Sequence, residues 1–213
     1  PTKIIFGRDT IKAIGKEIPK GSKVMLTFGG GSIKRNRIYD EVTAALTGFE
    51  VAEFGGIEPN PTYETLMQCV ERVRSENIDY LLAVGGGSVI DGTKFIAAAA
   101  LYQGDPWEIV KKYGMTIERA LPFGTVLTLP ATGSEMNSGA VITHRALNSK
   151  LPFNNPALFP EFSVLDPTKT YTLPAEQIGN GVVDTFVHVT EQYLTYPVNG
   201  KLQDRFAEGI LLT

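Results

Sequence analysis

Cysteine is almost missing from this chain. The single Cys69 rules out an intrachain disulfide and fits a reducing compartment. Histidine is nearly as scarce, with only His144 and His188, so a four-ligand metal site cannot be completed from histidines of this chain. Neither charge dominates: 20 Lys and Arg face 23 Asp and Glu, for a net charge of −3. That balance leaves no electrostatic footprint for nucleic acid. The longest apolar run, Phe95 to Tyr102, falls far short of the roughly 20 residues that a membrane span needs, so no membrane partner is expected. PTKIIFGRDT shows no charged stretch leading into an apolar core, which reads as no signal peptide and a cytoplasmic protein.

Glycine, by contrast, is plentiful, with 22 residues, and part of it is clustered. Short β-branched runs alternate with amphipathic periods through the first two-thirds of the chain. Strands are expected at Lys3–Phe6, Lys23–Phe28, Glu50–Phe54, Tyr80–Val84 and Thr125–Leu129. Helices are expected around Thr10–Ile18, Ile33–Leu46, Tyr63–Glu76 and Val89–Leu101. VMLTF and YLLAV are apolar on both faces rather than alternating, as strands covered on both sides must be. A β-α-β-α order of this kind predicts an α/β, doubly wound, mainly parallel sheet. After about Asp166 no strand-like run remains, and Val182–Thr195 and Leu202–Leu212 read as helices. Residues 1–170 are therefore expected to form the α/β domain and residues 171–213 to begin a helical one. RFAEGILLT keeps helical periodicity to its last residue with no cap or breaker, so a chain cut within a longer helical domain is expected.

Two glycine triplets, Gly29–Gly31 and Gly85–Gly87, each follow a strand, precede a helix and are followed by serine (Ser32, Ser88). Without Cβ atoms, their backbone N–H groups can approach an anion closely. A helix opening behind Gly87 adds a partial positive charge suited to a pyrophosphate. Asp91, one turn into that helix, reads equally as an acid favoured by the dipole or as a ligand contact. A third loop, TLPATGSEMNSG, gathers Thr128, Thr132, Ser134, Asn137 and Ser138 at another strand end. Such a cluster suits ribose and phosphate, and it also suits any turn.

Asp184 and His188 lie four residues apart on one face of a predicted helix. At that spacing they can chelate one divalent cation or simply hydrogen-bond to each other. Val182, Val183, Phe186, Val187 and Val189 make the segment apolar almost all round, so it is expected to be buried. His144, at the end of the strand-like AVITH, reads as structural or surface.

Taken in order, GGGSIK, GGGSVIDGTKFIA, LPATGSEMN, SKLPFNNPALFPEFSVLDP and GVVDTFVHVTEQY resemble the iron-containing alcohol dehydrogenase family over essentially the whole chain. The similarity is to its NADPH-dependent aldehyde reductase and butanol dehydrogenase branch. The resemblance implies a Rossmann-like nucleotide domain followed by an all-helical metal domain, with a dinucleotide between them. It assigns Gly86, Gly87, Ser88 and Asp91 to the pyrophosphate and neighbouring ribose, Thr128 and Thr132 to the middle of the cofactor, and Lys150 to the ribose near the nicotinamide. It assigns Asp184 and His188 as the first two of four ligands to Fe²⁺ or Zn²⁺. NAD-preferring members often carry an aspartate where this chain has Gly29. Gly29, Gly30 and Ser32 leave room for a 2′-phosphate, so NADP(H) is the expected cofactor. The substrate expected is a small alcohol or aldehyde, and the full-length form is expected to be a homodimer. A nucleotide-binding fragment without turnover, or a relative of glycerol dehydrogenase or dehydroquinate synthase, is the alternative.

Overall fold

The computed structural model describes residues 1–195 and 198–213. Its strands are β1 (Lys3–Phe6), β2 (Lys23–Phe28), β3 (Glu50–Phe54), β4 (Tyr80–Gly86), β5 (Phe123–Leu129), β6 (Gly139–His144), β7 (Ser149–Asn154) and β8 (Phe162–Leu165). Its α-helices are α1 (Ile14–Glu17), α2 (Ser32–Arg35), α3 (Ile38–Ala45), α4 (Tyr63–Ser75), α5 (Gly87–Leu101), α6 (Trp107–Lys111), α7 (Ala175–Thr195) and α8 (Lys201–Leu211). By contacts the chain divides into two compact units, Pro1–Tyr171 and Thr172–Thr213.

In the first unit six strands form one parallel sheet in the order β1-β8-β5-β4-β2-β3. Successive residues of the central strands serve opposite faces. Met25, Leu81 and Ala83 join one core with Leu66 and Val70 of α4 and Ile90 and Phe95 of α5. Val24, Leu26, Leu82 and Val84 join the other with Ile14 of α1 and Ile38 and Val42 of α3. Two covered faces explain why VMLTF and YLLAV carry no polar alternation. This is the doubly wound, Rossmann-like sheet that the sequence predicts.

The chain reverses direction across the sheet between β2 and β4. From β2 it moves outward to β3, and from β4 it moves the other way to β5. The register sets Phe28 beside Val84 and Gly86 beside Leu129, so the turns after β2, β4 and β5 open at one carboxyl edge. Crevices at such reversals are where open α/β sheets take ligands. An antiparallel hairpin of β6 and β7 stands apart from the main sheet.

Several boundaries differ from expectation for local reasons. The expected Ile33–Leu46 helix is broken into α2 and α3 by Arg37, which is in the left-handed region at φ 64°. The expected Thr10–Ile18 helix begins as a 3-10 turn, Thr10–Ala13. Two strands were not expected: β7, and β8, which inserts between β1 and β5 although FSVL is only four residues long.

The second unit is a pair of helices, α7 and α8, with the Tyr193 hydroxyl donating to Glu208 at 3.0 Å. Burial of the Asp184–His188 segment is not what the structure shows. Val182, Val183, Phe186 and Val187 are 65, 62, 56 and 53% exposed. One partner helix can cover only one stripe of α7, and this segment is apolar all round. Among the described residues, no helix is long and apolar enough to cross a membrane.

Asp166, 2% exposed, ties the end of the sheet to the start of the chain. Its carboxylate accepts from Asp9 N–H at 2.8 Å, Thr168 N–H at 3.0 Å and the Thr168 hydroxyl at 2.7 Å. Burial opposes the charge, but the Thr168 and Asp9 hydrogen bonds and the Lys169 ammonium outweigh it, and the carboxyl sits below the usual carboxylate range. A carboxyl depressed in the fold stabilises above its unfolded pKa and loses that contribution as pH falls through the folded value. Asp166→Asn should therefore cost about 1–3 kcal/mol in urea unfolding at pH 7, and the gap to wild type should narrow below pH 4.

Candidate functional site

The carboxyl edge is organised around the start of α5. β4 runs into this helix with no intervening loop, so Gly86 is the cap residue and Gly87 the first helical one. No side chain caps this end, and its first turn holds no acid. The leading N–H groups and the positive end of a 15-residue helix therefore face the crevice. Gly87 is required by a close approach. A Cβ there would lie 2.2 Å from Thr132 Oγ1 and 2.6 Å from its methyl, so the third loop lies directly on the helix start.

The other triplet lies beside it. Gly29 O accepts from Gly56 N–H at 3.1 Å, and Gly31 adopts φ 90°, a conformation that glycine takes without strain. Gly30 has open space around its Cβ position, and Ser32 is exposed. Ser32 opens only α2, a single four-residue turn, so no helix dipole of consequence points from here. Lys34 is not free: its ammonium lies 3.3 Å from Glu53 and over the rings of Phe28 and Tyr39.

Lys150 on β7 reaches back to this edge, donating to Asn60 Oδ1 at 2.7 Å, while Asn60 N–H donates to Ser88 Oγ at 3.3 Å. Gly29, Gly30, Ser32, Gly86, Gly87, Ser88, Asp91, Thr128, Thr132 and Lys150 thus all belong to the β2, β4 and β5 turns, the start of α5 or the hairpin that reaches them. Beside Thr132 and Asp91 opens a cleft of about 350 Å³, walled by Ser134, Asn137, Val141 and Pro152.

Asp91 is hydrogen-bonded within the protein through both carboxylate oxygens. Its Oδ1 accepts from the Ser134 hydroxyl at 2.6 Å and its Oδ2 from Val141 N–H at 2.9 Å, so it fastens the third loop and β6 to α5. One turn on, the fully buried Lys94 donates to Ser134 Oγ at 2.8 Å, Asn137 Oδ1 at 3.0 Å and Gly139 O at 2.7 Å. Burial pushes Lys94 down to about 8, with Asp91 and Glu135 pulling the other way, and burial pushes the Asp91 carboxyl up. Sequence reasoning missed Lys94 and Asn60. Lys94 did leave a signal, as the one cation in the otherwise apolar stretch after Asp91. Asn60 left none beyond an Asn-Pro turn.

His144 packs as a structural residue. Its ring stacks on Tyr63 at 4.6 Å and meets Trp107 edge-on at 4.8 Å, with Nδ1 2.8 Å from Glu64 Oε1.

In the second unit, Asp184 Oδ1 and His188 Nε2 are 3.5 Å apart on α7, both exposed. One oxygen and one imidazole nitrogen on a single helical face make half of a four-coordinate site for iron or zinc. Among the described residues, no group of three or more His, Cys, Asp or Glu could hold a metal. The chemistry of the donor pair fits two ligands of such an ion.

Comparison with known proteins decides the family, since residues 1–167 match iron-containing alcohol dehydrogenases. The chain belongs to the iron-containing alcohol dehydrogenase family. Over its whole length it is 57% identical to the NADPH-dependent aldehyde reductase YqhD of Escherichia coli (strain K12), of which it covers 56%. It is 46% identical to NADH-dependent butanol dehydrogenase B of Clostridium acetobutylicum, again over 100% of this chain and 55% of that one. Among solved structures it superposes on E. coli YqhD with a TM-score of 0.96 at 56% identity, covering 55% of that chain. NADH-dependent butanol dehydrogenase A from Thermotoga maritima gives a TM-score of 0.91 at 43% identity, with 99% of this chain and 54% of that one covered. The chain therefore spans about half the length of the relatives it matches. Membership of this family implies a nucleotide cofactor and a divalent metal.

If Gly87 is a glycine because Thr132 lies on it, then Gly87→Ala should cost about 1–3 kcal/mol. Adding Thr132→Ala should recover part of that loss. A double-mutant cycle in thermal unfolding checks it, and additive losses would show that the contact does not carry the effect.

Proposed function

We propose that this chain supplies the nucleotide-binding half and two metal donors of an oxidoreductase that interconverts an alcohol and an aldehyde with NADP(H). The observation that carries the reading is the uncapped start of α5 at the sheet reversal in a chain of this family. There the N–H groups of Gly87 and Ser88 can hold a pyrophosphate with no side chain competing for them. Thr128, Thr132 and Lys150 flank the same edge, where they can orient the ribose and the nicotinamide end.

NADP(H) rather than NAD(H) is supported by Gly29. With no carboxylate at the end of β2, no side chain at that position repels a 2′-phosphate, and Gly30 and Ser32 leave it space and a donor. The names of the relatives point both ways, since YqhD is called NADPH-dependent and the butanol dehydrogenase B NADH-dependent.

Asp184 and His188 would hold two coordination positions of an Fe²⁺ or Zn²⁺ ion. When bound, the nicotinamide carries the hydride and the metal polarises the substrate oxygen. What the residues of this chain contribute is placement of the cofactor and of two donor atoms. The full-length form is proposed to be a cytoplasmic homodimer acting on small alcohols or aldehydes. A second reading, nucleotide binding without turnover, draws on the lack of a three-donor cluster among the described residues.

In an assay of full-length protein with Fe²⁺ or Zn²⁺ over an aldehyde series, NADPH should be consumed faster than NADH. Gly29→Asp should weaken NADPH binding roughly tenfold more than NADH binding, by placing a carboxylate beside the 2′-phosphate. Binding of NADPH with no turnover on any aldehyde would favour the second reading. Equal affinity for both nucleotides would overturn the NADP(H) preference.

A further inference from the structure

Lys94 is not needed for any contact proposed above, yet it is a cation with no exposed surface in the middle of α5. A lysine buried so completely is held only if its ammonium is satisfied. Here all three donors are used, on Ser134 Oγ, Asn137 Oδ1 and Gly139 O, which are three points along the segment from Thr132 to β6. The Ser134 hydroxyl has one proton and gives it to Asp91 Oδ1, so it can only accept from Lys94. The order of donation is therefore fixed: Lys94 to Ser134 to Asp91. Asn137 Oδ1 also accepts from Gly139 N–H at 2.9 Å, so the same ammonium closes the turn into β6.

We propose that Lys94 is a positioning residue whose protonated ammonium holds the Thr132–Gly139 segment in its nucleotide-competent form, making nucleotide affinity dependent on the Lys94 proton. This deepens the nucleotide reading given above and rests on it. The lysine reaches the ligand only through others. Its acceptors lie within seven residues of Thr132, and Ser134 N–H donates to Thr132 Oγ1 at 3.3 Å. A neutral amine keeps two N–H donors and offers a lone pair, so one of the three acceptors loses its partner and the charge that favoured all three is gone. The charged groups facing it are Asp91 from α5 and Glu135 from the turn Ser134–Met136, the latter with an unpartnered buried Oε2. Both favour the ammonium and burial opposes it, which leaves the proton to be lost near pH 8, within reach of a binding assay.

The test is a fluorescence titration of NADPH into the full chain at pH 7.5, 8.5 and 9.5, with circular dichroism melts at each pH to confirm folding. Wild type should bind at pH 7.5 and weaken roughly tenfold for each unit above the midpoint, because apparent affinity scales with the competent fraction. Lys94→Met should bind weakly with no pH dependence over that range. Ser134→Ala leaves Lys94 and Asp91 in place but removes an acceptor of the ammonium, so the midpoint should move to lower pH. This second variant keeps the test decisive if Lys94→Met does not fold. No binding at pH 7.5 would defeat the nucleotide reading itself. Binding at pH 7.5 that stays flat to pH 9.5 in wild type, a fall that persists in Lys94→Met, or an unmoved midpoint in Ser134→Ala would overturn the role of Lys94 and leave nucleotide binding intact.

Discussion

Helix α5 is pinned along its length by hydrogen bonds made inside the protein, and the carboxyl edge of the sheet depends on them. The Thr93 hydroxyl lies 2.7 Å from that of Thr27, fastening the helix to β2 from within the core. Asp91 fastens it to β6, and Lys94 to the segment that follows β5. These links are buried or partly buried, where a satisfied polar group fixes one arrangement and an unsatisfied one is costly. The threonine pair and the Asp91–Ser134–Lys94 chain add fixed points to the apolar packing of α5, with Gly87 lying under Thr132.

Because the helix start is fixed in this way, the site can be built mainly from backbone. Its leading N–H groups have no side-chain cap, and its surroundings supply hydroxyls and amides rather than a dense field of charge. Such an edge is suited to a ligand that brings its own charge, as a dinucleotide does. The second unit carries Asp184 and His188 on an exposed part of α7, the helix that packs against α8.

Much of this was legible in the sequence. The central strands read correctly because strands covered on both faces lack polar alternation, and YLLAVGGGS announces a strand passing into a helix, although the turn expected between them is absent and β4 runs straight into α5. β8 was missed because four residues carry too little periodicity, and its place between β1 and β5 is fixed by tertiary pairing alone. Burial of the Asp184 segment was expected from composition, but apolar composition shows only what a helix would cover and not what covers it. Asp91 was seen and its work was not. Its hydrogen bonds were not legible, because only the fold brings Ser134 and Val141 to it, across 43 and 50 residues of chain. Lys94 fell to the same blindness, since its three acceptors lie more than 39 residues away.

The claim on which the functional reading stands is that a dinucleotide pyrophosphate rests on the start of α5. Hydrogen–deuterium exchange of the full-length protein with and without NADPH measures it most directly. Slowed exchange in the segment covering Val84–Asp91, with smaller change in α3, is the result expected from ligand oxygens accepting from those N–H groups. Unchanged exchange there under saturating NADPH would contradict the placement.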